Sequence, residues 1–153
     1  MAKFGLQTDF INNILINYFG LGKPNTEANT LYVGLGYTQE SATINTDTFS
    51  EINESLINGN YSRARIVFGS AANNMIQNIT DVTFPTASAD WTFEKQQVSM
   101  LGIFDTKEVK DLKGEYTKPL VVLHLPREEM ILSGETVIFK ENSICLKLGG
   151  MGA

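Results

Sequence analysis

Few residues in this chain carry the chemistry for catalysis or metal binding, and their spacing decides what each can do. The single histidine, His124, lies in Val121-Val122-Leu123-His124-Leu125-Pro126. Strand alternation there turns it outward between inward-facing Leu123 and Leu125. One histidine cannot build a multi-histidine metal centre, and in a Ser-His-Asp arrangement it would have to serve alone as the base. No Gly-x-Ser-x-Gly elbow and no local Cys-His signature accompanies it. The single cysteine, Cys145, sits between Ile144 and Leu146. It has no partner for an internal disulfide and no companions for a metal site, and it reads as an apolar filler.

Other constellations read as structure before chemistry. Tyr32-Val33-Gly34-Leu35-Gly36-Tyr37 holds two glycines of a nucleotide-binding pattern but lacks the third and the helix that should follow. It fits a strand in which small residues admit another backbone or an aromatic ring. Asp105, Glu108 and Asp111 alternate with Lys107, Lys110 and Lys113, without the ligand spacing or central glycine of a calcium loop. That stretch predicts a solvated, mixed-charge hairpin tip. Trp91, with Phe84 and Phe93 close in sequence, has the composition of a sugar-stacking platform, although a large aromatic more commonly anchors a core. Arg63 and Arg65 form the densest basic cluster, and their period-two spacing predicts one strand face, solvated or salt-bridged. With 12 Lys and Arg against 17 Asp and Glu, the net charge of −5 argues against a nucleic-acid partner. The expectation is a chain with no catalytic residue, no metal and no cofactor.

The elements that must position these residues follow from periodicity. Between Thr8 and Phe19 the apolar residues Phe10, Ile11, Ile14, Leu15, Tyr18 and Phe19 recur four apart in pairs, which predicts a short amphipathic helix. Thr8 or Asp9 can cap its start, and Gly20 and Gly22 can end it. A helix of about three turns is marginal alone in water, so its apolar face must dock on something. Beyond Lys23-Pro24-Asn25 the period changes to two. Strands are expected over Leu31 to Tyr37, Arg63 to Phe68, Ile76 to Phe84, Phe93 to Phe104 with room for a break, Leu120 to Leu125, Glu135 to Phe139 and Ser143 to Leu148. Glu141-Asn142 is short enough to join the last two as a tight hairpin. Gln39 to Asn58 reads as a long exposed loop with one helical turn.

These signals predict a mainly β chain of 153 residues in a single domain, a β-sandwich or jelly-roll-like body with one N-terminal helix. The helical arm covers 1–22, the body 30–148 and a glycine-rich tail 149–153. Charged residues are only 19% of the chain while Asn, Thr and Ser are plentiful, a surface suited to lasting contact with neighbours. No apolar run approaches the roughly 18 residues of a membrane span, and no basic region leads into a signal-type apolar stretch at the N-terminus. A chain that stays soluble and is made in a cytoplasm is expected.

A resemblance covers nearly the whole chain. It is carried by the N-terminal helix, Leu31-Tyr32-Val33-Gly34-Leu35, Tyr61-Ser62-Arg63 with Ile66-Val67-Phe68, and Val82-Thr83-Phe84-Pro85 with Ala87 and Trp91. Leu101-Gly102-Ile103-Phe104-Asp105 and a Gly134-Glu135 turn before Val137-Ile138-Phe139 complete it. In this order the segments resemble a family of small tailed-phage virion structural proteins, described variously as tail fibre or head decoration proteins. The charged stretch Thr106 to Lys113 departs from the small-residue, glycine-rich turn usual there. The resemblance implies a non-enzymatic structural protein of the virion, made in the host bacterial cytoplasm. Capsid decoration on the major shell is the first expectation, a tail or fibre-attachment component the second, and a carbohydrate-binding adhesion module a third of another class. Expected partners are the major capsid protein or tail and neck proteins, together with copies of the chain itself, with no nucleic acid and no membrane. The arm and tail are expected to be pinned by neighbouring subunits, which makes Phe10, Ile14, Tyr18, Phe19 and Met151 the candidate protein-interface residues.

Overall fold

The computed structural model describes residues 30–37, 48–52, 60–69, 75–93 and 96–147. The predicted helix at 8–19, the arm 1–22 and the tail 149–153 lie outside them. All regular elements among the described residues are strands, β1 Leu31–Tyr37, β2 Ser50–Glu51, β3 Ala64–Ile66, β4 Met75–Gln77, β5 Val82–Thr83, β6 Val98–Phe104, β7 Val121–Glu129, β8 Ile138–Phe139 and β9 Cys145–Lys147.

Alternation explains why β1 and β6 form the centre. Leu31, Val33 and Leu35 on β1 and Leu101 and Ile103 on β6 all point into one core, while the glycines fall on the opposite face. The two strands pair antiparallel with Gly34 opposite Gly102 and Leu35 opposite Leu101. β7 pairs antiparallel with the far edge of β6, and β2 and β3 both lie along the other edge of β1, making a five-stranded sheet. The β6–β7 register slips between Met100, opposite His124, and Val98, opposite Glu129. The extra residues bulge out around Pro126, which has no N–H to give to a ladder.

The glycines answer to space. A Cβ on Gly36 would strike the Phe49 ring and lie 2.7 Å from the Ser50 carbonyl oxygen, and one on Gly102 would lie 2.7 Å from Cε2 of Phe104. The glycine face is thus the floor on which Phe49 and Phe104 meet edge to face, their centroids 5.7 Å apart. Gly36→Ala should therefore cost about 1–3 kcal/mol by overpacking. Urea unfolding would show this as a lower midpoint at unchanged slope. A midpoint equal to wild type would mean that Phe49 gives way freely.

Beyond the sheet, the chain from Met75 to Thr92 runs antiparallel along the segment from Ile131 to Lys147. β4 pairs β9, β5 pairs β8, and between and beyond them the backbone bonds continue from Phe84 N–H to Val137 O and from Trp91 N–H to Ile131 O. One hydrophobic cluster joins this ribbon to the sheet, with Ile76, Val82, Phe84, Trp91, Ile144 and Leu146 meeting the β1 and β6 side chains.

Three expectations need correction. The single strand read from Ile76 to Phe84 is two, broken where the wholly buried Asn78 turns its amide inward. Asn78 donates to the carbonyls of Thr80 (2.8 Å) and Lys140 (2.9 Å) and accepts the Ile144 N–H (2.9 Å). The same amide explains why β8 and β9 are not a hairpin. Asn142, at φ 63°, only bends the chain around Asn78, so each strand pairs with a distant partner instead of with its neighbour. Within the stretch read as a loop, Ser50 and Glu51 form an edge strand, and Glu51 and Ile52 are buried.

Candidate functional site

The residues with possible chemistry are scattered by the fold. His124 is exposed on β7, and Cys145 is half-buried on β9. Among the described residues no group of three or more His, Cys, Asp or Glu side chains could hold a metal ion, and no helix is long and apolar enough to cross a membrane. Trp91 and Phe84 are buried in the core on either side of Tyr61, whose ring meets Trp91 edge-on at 5.2 Å and stacks near Phe84 at 6.5 Å. Only Phe93 of that trio is exposed, so the three do not form a platform for a sugar. The interface candidates Phe10, Ile14, Tyr18, Phe19 and Met151 lie outside the described residues.

The two arginines part company. Arg65 is exposed, whereas Arg63 is buried, with its side chain fully enclosed and its Nη2 2.7 Å from Glu51 Oε1. The shared face predicted by their spacing does not exist, because Arg63 precedes β3 and turns inward to meet Glu51. Its whole donor fork is used. Nε donates to both Glu51 oxygens (3.2 and 3.0 Å), Nη1 to the carbonyls of Thr106 (3.0 Å) and Glu108 (2.9 Å), and Nη2 to Glu51 and to Thr117 Oγ1 (2.8 Å). The Phe104 ring lies 3.4 Å beneath the guanidinium carbon. A buried ion costs several kcal/mol to desolvate unless fully paired, and this one is.

Tyr61 completes the cluster. Its hydroxyl donates to Glu51 Oε2 (2.5 Å) and accepts the Leu35 N–H (2.9 Å). Part of the residue reaches the surface, but burial of the hydroxyl, and then the Glu51 carboxylate beside it, raise its pKa well above the ordinary 10.0. The folded chain thus keeps a proton that the unfolded chain would lose. Stability from this group is complete below about pH 10 and falls as the pH rises beyond it. Thermal melts taken at increasing alkaline pH should show that decline, and Tyr61→Phe should flatten it. An equally steep decline in the variant would place the cause elsewhere.

Arg63 serves a surface element as well as the core. By holding the carbonyls of Thr106 and Glu108 it clamps the base of a projecting hairpin at 105–118, and Thr117 Oγ1 adds a bond to the Glu108 carbonyl (2.7 Å). The tip has its own bracing. Asp111 Oδ1 accepts the N–H groups of Lys113 (2.8 Å) and Glu115 (3.0 Å), Gly114 takes φ 80°, and Lys110 bridges to Tyr116. This is the mixed-charge tip expected from sequence, with Leu112 at its apex fully exposed.

A groove of about 460 Å³ lies elsewhere, lined by Val98, Leu125, Ile131, Val137, Ile138 and Phe139, with Arg127, Glu129 and Glu135 at its rim. A more polar cleft of about 530 Å³ separates Tyr61 and Ser62 from Lys107, Lys110 and Tyr116 at the hairpin base. Sequence reasoning assigned no role to Glu51, Tyr61 or Leu112, although Tyr61 stands in the Tyr61-Ser62-Arg63 segment that carries the family resemblance. Glu51 lies 10 and 12 positions before Tyr61 and Arg63, so no local pattern joins the three.

Over residues 7–147 the chain matches the family model described as Podophage GP4 fiber I protein gp80. No curated protein and no solved structure matches it. The matched range takes in the nine strands of the described residues, the Arg63 cluster, the hairpin and the groove. It agrees with the resemblance to small tailed-phage virion structural proteins read from the segment order, and covers well over half of the sequence, so the chain belongs to the Podophage GP4 fiber I protein gp80 family.

Proposed function

We propose that this chain is a non-enzymatic component of a phage tail or of a fibre-attachment site, acting by contact with other virion proteins. The family match carries this reading: a fibre description covering residues 7–147 supports the tail or fibre alternative better than decoration of the capsid shell. The geometry supports it too, since the buried Arg63–Glu51 pair braces a projecting hairpin whose tip is exposed. In this reading the core cluster that joins the five-stranded sheet to the β4–β9 and β5–β8 ribbon is the filling of a β-sandwich. The chain needs no cofactor, nucleic acid or membrane for such a role, and it is made in the host bacterial cytoplasm before assembly.

Copy number tests the placement. Quantitative mass spectrometry of purified particles, referenced to the major capsid protein, should give about six to a few tens of copies for a tail or fibre component set by ring symmetry. A count on the order of hundreds would move the chain to the shell and restore capsid decoration.

A further inference from the structure

The five-stranded sheet has a second face, opposite the core, and two side chains on it are buried where the described strands supply no cover. Met100 on β6 and Val122 on β7 are fully enclosed, yet neither belongs to the hydrophobic cluster that joins the sheet to the ribbon. Alternation turns them the other way, onto the face of Gly36 and Gly102, their partners in the register. Phe49 and Phe104 lie over those glycines, and Arg63 lies over Phe104. Val122 is farther out. β7 is the outermost strand, so among the described residues no strand stands beyond it, and His124 on the same face is exposed. A fully buried side chain touches roughly 6–12 others, which on the flank of an edge strand requires a lid.

The burial exists within a single chain, so the lid is a segment of the chain itself. Attachment and composition select which one. The segments 70–74 and 148–153 continue from β4 and β9, in the ribbon that packs on the opposite face. The segment 53–59 joins β2 to β3, both on the β1 edge of the sheet and away from β7. Residues 38–47 leave from that same edge and hold only Ala42 and Ile44 as apolar side chains. Residues 1–29 are the longest segment, carry the amphipathic pattern at 8–19, and enter the sheet at Leu31, next to Tyr32, which pairs with Phe104.

We infer that the amphipathic segment 8–19 lies across β1, β6 and β7 on this second face, with Phe10, Ile14 and Tyr18 turned down onto Met100 and Val122. The dimensions fit. Twelve residues of helix are about 18 Å long, three adjacent strands span about 10 Å, and the ten residues 20–29 reach up to about 33 Å from Leu31. Side chains expected at an interface with neighbouring subunits are then used inside the chain, and contact with partners falls to surfaces such as the hairpin. The inference goes beyond the tail or fibre reading and holds for any placement in the virion. Its failure would leave the copy-number test untouched.

Peroxide oxidation of methionine in the full chain, read peptide by peptide by mass spectrometry over a dilution series, tests it. Met130, about half exposed, supplies the rate of an accessible thioether. Wild type should oxidise at Met100 about tenfold or more slowly than at Met130, to the same extent at every dilution. Ile14→Asp, which sets a charge under the lid, should raise the Met100 rate about tenfold, whereas Asn12→Asp, with the same charge on the polar side, should leave it unchanged. Near-UV circular dichroism of the buried Trp91 checks that the β body is intact in both variants. A benzophenone side chain placed at Ile14 gives a second readout that decides alone if Ile14→Asp loses that signal. On illumination it should join the peptide bearing Met100 or the one bearing Val122, within the same chain.

Met100 that oxidises as fast as Met130 in wild type would show an open face and overturn the inference. Protection that fades on dilution would overturn it by assigning the lid to a second copy. Protection kept in Ile14→Asp, or a cross-link to the ribbon, would overturn it by assigning the lid to another segment.

Discussion

Arg63→Met should be among the most damaging single changes in this chain, lowering stability by about 3–5 kcal/mol. For a domain of this size that corresponds to a melting temperature lower by roughly 6–20 °C. The cause is what the variant leaves behind. Glu51 would remain buried with its charge uncompensated, and the carbonyls of Thr106 and Glu108 and the hydroxyl of Thr117 would lose a donor. Replacing Glu51 as well, by Met, removes the stranded carboxylate, so the double variant should be less damaged than the sum of the two singles. Full recovery is not expected, because Tyr61 then lacks its acceptor and the hairpin base its clamp. Hydrogen exchange separates the two consequences. Amides at 106–110 should lose protection in Arg63→Met at conditions where β1 and β6 remain protected. An Arg63→Met chain that melts with wild type would show that the buried pair contributes nothing net. Added salt should change little in wild type, since an enclosed pair is poorly screened.

Trp91→Ala should cost about as much, roughly 3–5 kcal/mol, for a different reason. Trp91 is one of the largest fully buried side chains, and its removal opens a cavity between Tyr61 and the ribbon. Phe93→Ala, two residues on and about half exposed, should stay within roughly 0.5 kcal/mol of wild type. The pair distinguishes a core anchor from a glycan platform. A core role predicts a large loss of stability at Trp91 and almost none at Phe93. A stacking platform predicts the reverse emphasis, with stability kept in both variants and retention on a glycan column lost. Measured urea midpoints for the two variants decide it.

Much of the fold was legible because its signals are local. Leu31 to Tyr37 was read as a strand over its observed bounds, and the strand cores at 64–66, 98–104, 121–125 and 145–147 fell inside predicted runs. Period-two burial is a property of adjacent residues, so no knowledge of partners is needed to see it. The reading of Gly34 and Gly36 as room for an aromatic was available for the same reason. A nucleotide loop needs a third glycine and a helix, and neither follows. Which ring fills the room was not available, because Phe49 and Phe104 reach the glycine face from different parts of the chain.

Pairing was where local signals failed. The short Glu141-Asn142 turn looks like a hairpin when judged by length alone, yet β8 and β9 take partners 55 to 72 residues earlier in the chain. The deciding residue, Asn78, lies more than 60 positions from the turn it reshapes. Arg63 was misplaced for a related reason. Its spacing from Arg65 describes an ideal strand, and only the arrival of Glu51, Phe104 and the 106–108 backbone makes a buried guanidinium affordable.

The sequence by itself determined that this is a mainly β chain with one aromatic-anchored core, a charged hairpin tip, and too few histidines and cysteines for a metal centre built from them. Composition and alternation dictate those features, since burial period and ligand counts do not depend on which strand meets which. Only the tertiary structure decided that an ion pair would be buried under the hairpin, and that a bare leucine and an apolar groove would occupy opposite ends of β6. Those are relations between distant segments, and they come into being when non-local pairing brings the segments together.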